Sequence, residues 1–235
     1  MTSFQLPIDY PRVRRVNSYQ ELLTTRFSAG INALCWERTL PGDFGEVVAA
    51  LGAGEEITIL DDARLGTLPV SPAGRVAIEI LREDQRVLRE HHLDPVLNCI
   101  HGYPRDEDAS PVPTDVFSFH VDSAPIEAAT WLCTYHGSPS EGLRNEEAER
   151  RVDDPPTRAA LRQLFGGEDN DDFREFLREN CYDLHYAPTR EARPFSFGTG
   201  NLWRIAVEYP GSPVPPCIHR APPTVPGEPR LLLIS

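Results

Sequence analysis

The stretch Ser118-Phe119-His120-Val121-Asp122 decides the reading of this chain, together with His219-Arg220-Ala221-Pro222-Pro223 and Arg230 near its end. Side chains on an extended strand repeat every two residues, so His120 and Asp122 share a face. A second histidine from a distant strand completes a set of two imidazoles and one carboxylate. That set grips one face of a metal ion and leaves open positions on ferrous iron. His219, in the short apolar segment Cys217-Ile218-His219, is the candidate for the second imidazole.

A metal held on one face has room for a co-substrate and dioxygen. The co-substrate 2-oxoglutarate chelates iron through its keto-acid end and leaves a distal carboxylate that wants a buried bidentate cation. Arg230, eleven residues beyond His219 and at the head of Arg230-Leu231-Leu232-Leu233-Ile234, is spaced to be that cation. Arg220, beside His219, is the alternative acid-binding group. Tyr135, after the second strand, is either a hydrogen-bond donor to the co-substrate or a packed aromatic.

These pieces resemble the Fe(II)/2-oxoglutarate-dependent oxygenase superfamily, whose members carry a His-x-Asp, a distant His and an Arg roughly one strand later. The matching residues are Phe119-His120-Val121-Asp122, the strand Thr130-Trp131-Leu132-Cys133-Thr134-Tyr135, the turn Gly200-Asn201-Leu202, His219, and Gly227-Glu228-Pro229-Arg230. Most of the chain is also similar to an uncharacterised bacterial family with Thr-Tyr-x-Gly after the first metal motif and His-Arg-[Ser/Ala]-Pro-Pro at the second, here Thr134-Tyr135-His136-Gly137 and His219 to Pro223. The resemblance implies a mainly β fold with flanking helices (α+β), a double-stranded β-helix of the jelly-roll, cupin-like kind. It also implies Fe(II) bound by His120, Asp122 and His219, and 2-oxoglutarate anchored by Arg230. Leu232 stands where many members have a serine or threonine to share the distal carboxylate.

The expected activity is a dioxygenase oxidising a small molecule or a protein side chain. Two other classes use the same ligands: a non-catalytic metal-binding or sensing barrel, and a zinc hydrolase in which the metal activates water.

Composition narrows the partners. The formal charge of -13 repels nucleic-acid phosphates and anionic lipid heads, so neither is expected to bind. Lysine is absent, which removes Schiff-base chemistry and the lysine of a phosphate-binding loop. Five widely spaced cysteines read as buried free thiols in a reducing cytoplasm. The start of the chain lacks the basic and apolar regions of a signal peptide, and no apolar run reaches membrane-spanning length, so the expectation is a soluble cytoplasmic protein.

Working outward, one domain is expected over residues 1–235, with 23 prolines marking many turns and short strands. Residues up to about 95 supply helices and flanking strands. Ser18 caps a short helix, Ile31 to Trp36 is a strand, and Phe44, Val47, Val48 and Leu51 recur at helical spacing before Gly52. Ile57 to Leu60 is a short strand, and Pro72 to His92 is an amphipathic helix. Val96 to Tyr103 is strand-like, and Pro104 to Thr114 is an acidic, proline-rich loop leading into the metal motif. Val116 to Val121 and Ala128 to Tyr135 are successive strands. From about 141 to 181 an acidic helical insertion is expected, with helices opened by Pro155-Pro156-Thr157 and by Asn170-Asp171-Asp172. It is either a solvated face or a lid, and its charge favours a cationic or neutral substrate. Strands resume at Pro194, Leu202, Cys217 and Arg230. His91, His92, His101 and His185 read as surface or core histidines. Trp36, Trp131 and Trp203 read as packing residues.

Overall fold

The computed structural model describes residues 6, 7, 9–54, 56–104 and 110–235. The N-terminal reading over Met1 to Gln5 and the centre of the acidic loop, 105–109, lie outside them. In chain order the elements are β1 (Val13–Val16), α1 (Tyr19–Thr24), β2 (Ala33–Trp36), α2 (Phe44–Leu51), β3 (Ile57–Ile59), α3 (Asp62–Thr67), α4 (Pro72–Glu90) and β4 (Val96–Ile100). Next come β5 (Phe119–His120), β6 (Ala129–His136), β7 (Glu141–Leu143), β8 (Ala148–Arg150), α5 (Pro155–Phe165) and α6 (Asp171–Glu179). The chain closes with β9 (His185–Pro188), β10 (Phe195–Ser196), β11 (Leu202–Ala206), β12 (Ile218–Arg220) and β13 (Arg230–Ile234).

The strands form two sheets, giving an α+β protein. One has the order β1-β2-β11-β6-β13-β4-β3 and the other β10-β7-β12-β5-β9-β8. All neighbouring pairs are antiparallel except β1 with β2. Period-two alternation on β6 sorts the layers. Trp131, Cys133 and Tyr135 join the core under the helices with Leu81 and Leu88 of α4, whereas Leu132 joins Trp203, Phe197 and Leu232 between the sheets. Trp131 and Trp203 therefore pack on opposite faces of one sheet.

Helix α4 forms because Ser71 accepts from the N–H groups of Ala73 and Gly74, Pro72 presets the first turn, and Ala77, Ile78, Leu81 and Leu88 line one buried face. A buried network fixes that helix to the sheet. Asp84 accepts from Arg38 at 2.8 Å and from the Tyr135 hydroxyl at 2.6 Å, and Arg38 also donates to Cys133 Sγ at 3.3 Å.

Two expectations change. The stretch from Glu141 opens as strands β7 and β8, so only α5 and α6 and the turns around them are helical. The insertion has its own small core of Val152, Leu161, Phe173 and Leu177, into which Val112 from the loop before β5 is also packed. Helix α3 and strand β9 carry no distinct periodic signal and emerge only from their packing. Cys35, Cys99, Cys133 and Cys217 are buried free thiols as expected, but Cys181 is exposed. No helix among the described residues is long and apolar enough to cross a membrane.

Candidate metal centre

Strands β5 and β12 are antiparallel neighbours with His120 directly opposite His219, so both imidazoles leave the same face. Their ring centroids are 4.6 Å apart. Asp122, two residues on, places Oδ2 at 3.7 Å from His219 Nε2. One donor atom from each of the three side chains lies within 4.8 Å of the others. Residues nearly a hundred positions apart thus meet at one point, as the spacing predicts.

No family model, curated protein or solved structure matches this chain.

The orientation of each donor has a local cause. His120 Nδ1 lies 2.8 Å from the Ser118 carbonyl, and His219 Nδ1 lies 3.3 Å from the Cys217 carbonyl. A carbonyl only accepts, so both Nδ1 atoms carry the proton and both Nε2 lone pairs are free. Burial, reinforced by the neighbouring His219, pushes the His120 pKa down to about 4, leaving a neutral ligand at pH 7. For Asp122, burial works to raise the pKa. It is outweighed by His219, by the Thr130 hydroxyl and by His120, so the carboxyl stays below its usual range and ionised. An ion about 2.0–2.2 Å from each of two nitrogens and an oxygen needs only a small contraction of these spacings, so the residues fit a divalent metal.

Thr130 donates its hydroxyl to Asp122 Oδ2 at 2.5 Å, occupying one lone pair and fixing the carboxylate plane. Carboxylate ligands are held by such partners, and losing one typically weakens metal binding about 10- to 100-fold. Thr130→Val is expected to fall in that range for Co(II) or Zn(II) in a chelator competition, with the melting temperature nearly unchanged. Unaltered affinity would remove Thr130 from the site.

Arg230 is the second component. It is 4 % exposed and points between the sheets. Its Nε donates to the Ser138 carbonyl at 2.7 Å, Nη1 to the Tyr103 hydroxyl at 2.8 Å, and Nη2 to the hydroxyls of Ser140 at 3.1 Å and Thr134 at 3.4 Å. No carboxylate pairs with it among the described residues. Each of the three hydroxyls accepts from the guanidinium, so its own proton points elsewhere. These O–H groups and one remaining Nη1–H form a cluster of donors around a buried cation. Gly137 makes the approach possible: its φ is +80°, and a Cβ there would lie 2.7 Å from the Pro229 carbonyl.

Two expected site residues face elsewhere. The Tyr135 hydroxyl donates to Asp84 under α4, and its ring stacks on Phe44 at 5.3 Å, so it is a packed aromatic on the outer face. Arg220 neighbours His219 and therefore leaves the opposite face of β12, where it pairs with Glu141 at 2.7 Å and covers the Phe119 ring. Tyr103, Thr134 and Ser140 around Arg230, and Thr130 on Asp122, carry no motif that singles them out in the sequence. The β6 alternation already puts Thr130 and Thr134 on one face, which was the available signal. His185 is in the core, as one of its two readings had it. It lies directly opposite His120 on β9, 4 % exposed, with ring centroids 5.6 Å apart.

Proposed function

We propose that this chain is an Fe(II)/2-oxoglutarate-dependent dioxygenase built on a double-stranded β-helix. The barrel reading is supported by the strand path. Through β4, β5, β6, β7, β10, β11, β12 and β13 the chain moves back and forth between the sheets, so the quartet β11-β6-β13-β4 lies against β10-β7-β12-β5.

The observation that carries the activity is the buried, carboxylate-free Arg230 on the same inner layer as the three metal donors. Removing a guanidinium from water without an opposite charge is costly, and a protein retains that arrangement where an anion completes it. Thr130 holds the metal carboxylate and Thr134 holds the arginine. Four residues of strand, about 13 Å between their backbones, separate the two anchors with Leu132 between them. A dicarboxylate with a short methylene chain suits such a span. The hydroxyls of Tyr103, Thr134 and Ser140 take the role that Leu232 cannot.

Ferrous iron, when bound, supplies the chelation of the keto acid and the reduction of dioxygen. His120, Asp122 and His219 hold it on one face only. Arg230 and its hydroxyls orient the distal carboxylate, while Leu132, Leu232 and Trp203 keep the inner wall dry. A zinc hydrolase has no use for the arginine pocket.

Anaerobic addition of 2-oxoglutarate to Fe(II)-loaded protein should produce the weak visible charge-transfer band of the chelate. Arg230→Gln should raise the 2-oxoglutarate Kd by about thirtyfold or more while leaving Fe(II) affinity in place. A metal-loaded wild type that gives no band, and makes no succinate from 2-oxoglutarate in air, would end this reading.

A further inference from the structure

Across the six-stranded sheet, the residues level with the metal donors form one row. Register pairs Phe195 with Gly142, Gly142 with His219, His219 with His120, and His120 with His185. The β8–β9 ladder ends at Arg150 opposite Tyr186, and the next residue, Arg151, opens a turn close enough to His185 that burial, and then the guanidinium charge, push the imidazole pKa down to about 4. Arg150 takes the other face and donates to the Asp183 carbonyl.

The side chains of His185 and Arg151 each hold a buried polar atom without a hydrogen-bond partner among the described residues. His185 is 4 % exposed, and its Nδ1 makes no hydrogen bond among the described residues. The Arg151 Nε is likewise buried and unpaired. Ser118 Oγ, two residues before His120, is a third such atom on this side of the centre. Arg38 is paired with Asp84 and Arg230 donates to a carbonyl and to hydroxyls, whereas Arg204 donates from Nη1 to the carbonyls ending α1 and, like Arg151, keeps a buried Nε without a partner among the described residues. In a chain with 36 acidic residues, Arg151 has no carboxylate partner among the described residues. It sits at the foot of the α5–α6 insertion, opening the turn Arg151–Asp153.

We propose that His185 and Arg151 form the subsite for a carboxylate of the primary substrate, which is therefore a small carboxylic acid whose reacting carbon lies a few bonds from that group. This rests on the dioxygenase reading of the same centre and deepens it. The guanidinium donates two N–H bonds to the carboxylate, and the His185 imidazole donates a third from the side of the metal. The acidic surface of the insertion does not repel such a substrate from the pocket, because the charge met at its foot is positive.

The test uses Co(II)-loaded protein saturated with 2-oxoglutarate, so that the Arg230 pocket is filled, and a panel of fluorinated carboxylic acids, each paired with its amide, followed by fluorine NMR. Paramagnetic broadening is expected for at least one acid and not for its amide. Its Kd should rise about thirtyfold in Arg151→Gln and measurably in His185→Gln, with partial recovery in Arg151→Lys. Equal binding of acid and amide, no binding across the panel, or an unchanged Kd in both glutamine variants would overturn the subsite. The Zn(II)-loaded and metal-free proteins separate the two claims. Acid-selective shifts that depend on Arg151, in a protein that gives no Co(II) broadening, would retain the subsite and remove the metal centre.

Discussion

His219→Ala abolishes useful metal binding, lowering the affinity for Fe(II), Co(II) or Zn(II) by more than about a hundredfold, since loss of an outer hydrogen-bond partner alone costs up to that much. The remaining pair, His120 and Asp122, come from one strand and hold a metal from one edge only. The folded state tolerates the change, because β12 remains paired through its backbone with β5 and β7. Calorimetric titration of the variant beside wild type and Asp122→Asn gives the result directly. Retained wild-type affinity would mean that the three donors converge for another reason, such as a hydrogen-bonded acid–imidazole pair.

The second large effect is on stability and lies on the far side of the sheet. Asp84→Ala leaves the Arg38 guanidinium, with a 7 % exposed side chain, without its counter-charge and takes the acceptor from the Tyr135 hydroxyl. Breaking a buried pair from one side costs about 3–5 kcal/mol. At roughly 2–4 °C per kcal/mol for a chain of this size, the melting temperature should fall by about 6–20 °C. The double replacement Arg38→Met with Asp84→Leu should cost less than Asp84→Ala alone, because it leaves no orphaned charge. A double variant no more stable than the single one would show that hydrogen-bond geometry, not charge burial, holds α4 in place.

The parts of this molecule that were legible in the sequence are those with strong local patterns. Helix α4 shows itself through Val76, Ile80, Leu81, Val87 and Leu88 set among arginines and acids, although of these only Leu81 and Leu88 are buried and Ala77 and Ile78 complete the face. The His-x-Asp pair announces its shared direction by alternation alone. The same rule, applied to neighbours, excludes Arg220 once His219 is placed and excludes Tyr135 once Thr134 is. Parity was the usable signal there. Strands β7, β8 and β9 were not legible, because three or four residues with charges and a terminal proline have no period; they are strands through their neighbours. The hydroxyls around Arg230 come from positions 90 to 127 residues away, a convergence that only the tertiary fold creates.

Val112 ties the helical insertion to the candidate metal centre. It is fully buried in the core of α5 and α6, yet it belongs to the segment that runs into Phe119–His120. A swing of those helices therefore cannot be a free flap: it pulls on the chain that carries a metal ligand. The placement of α5 and α6 and the posture of His120 are mechanically geared to each other.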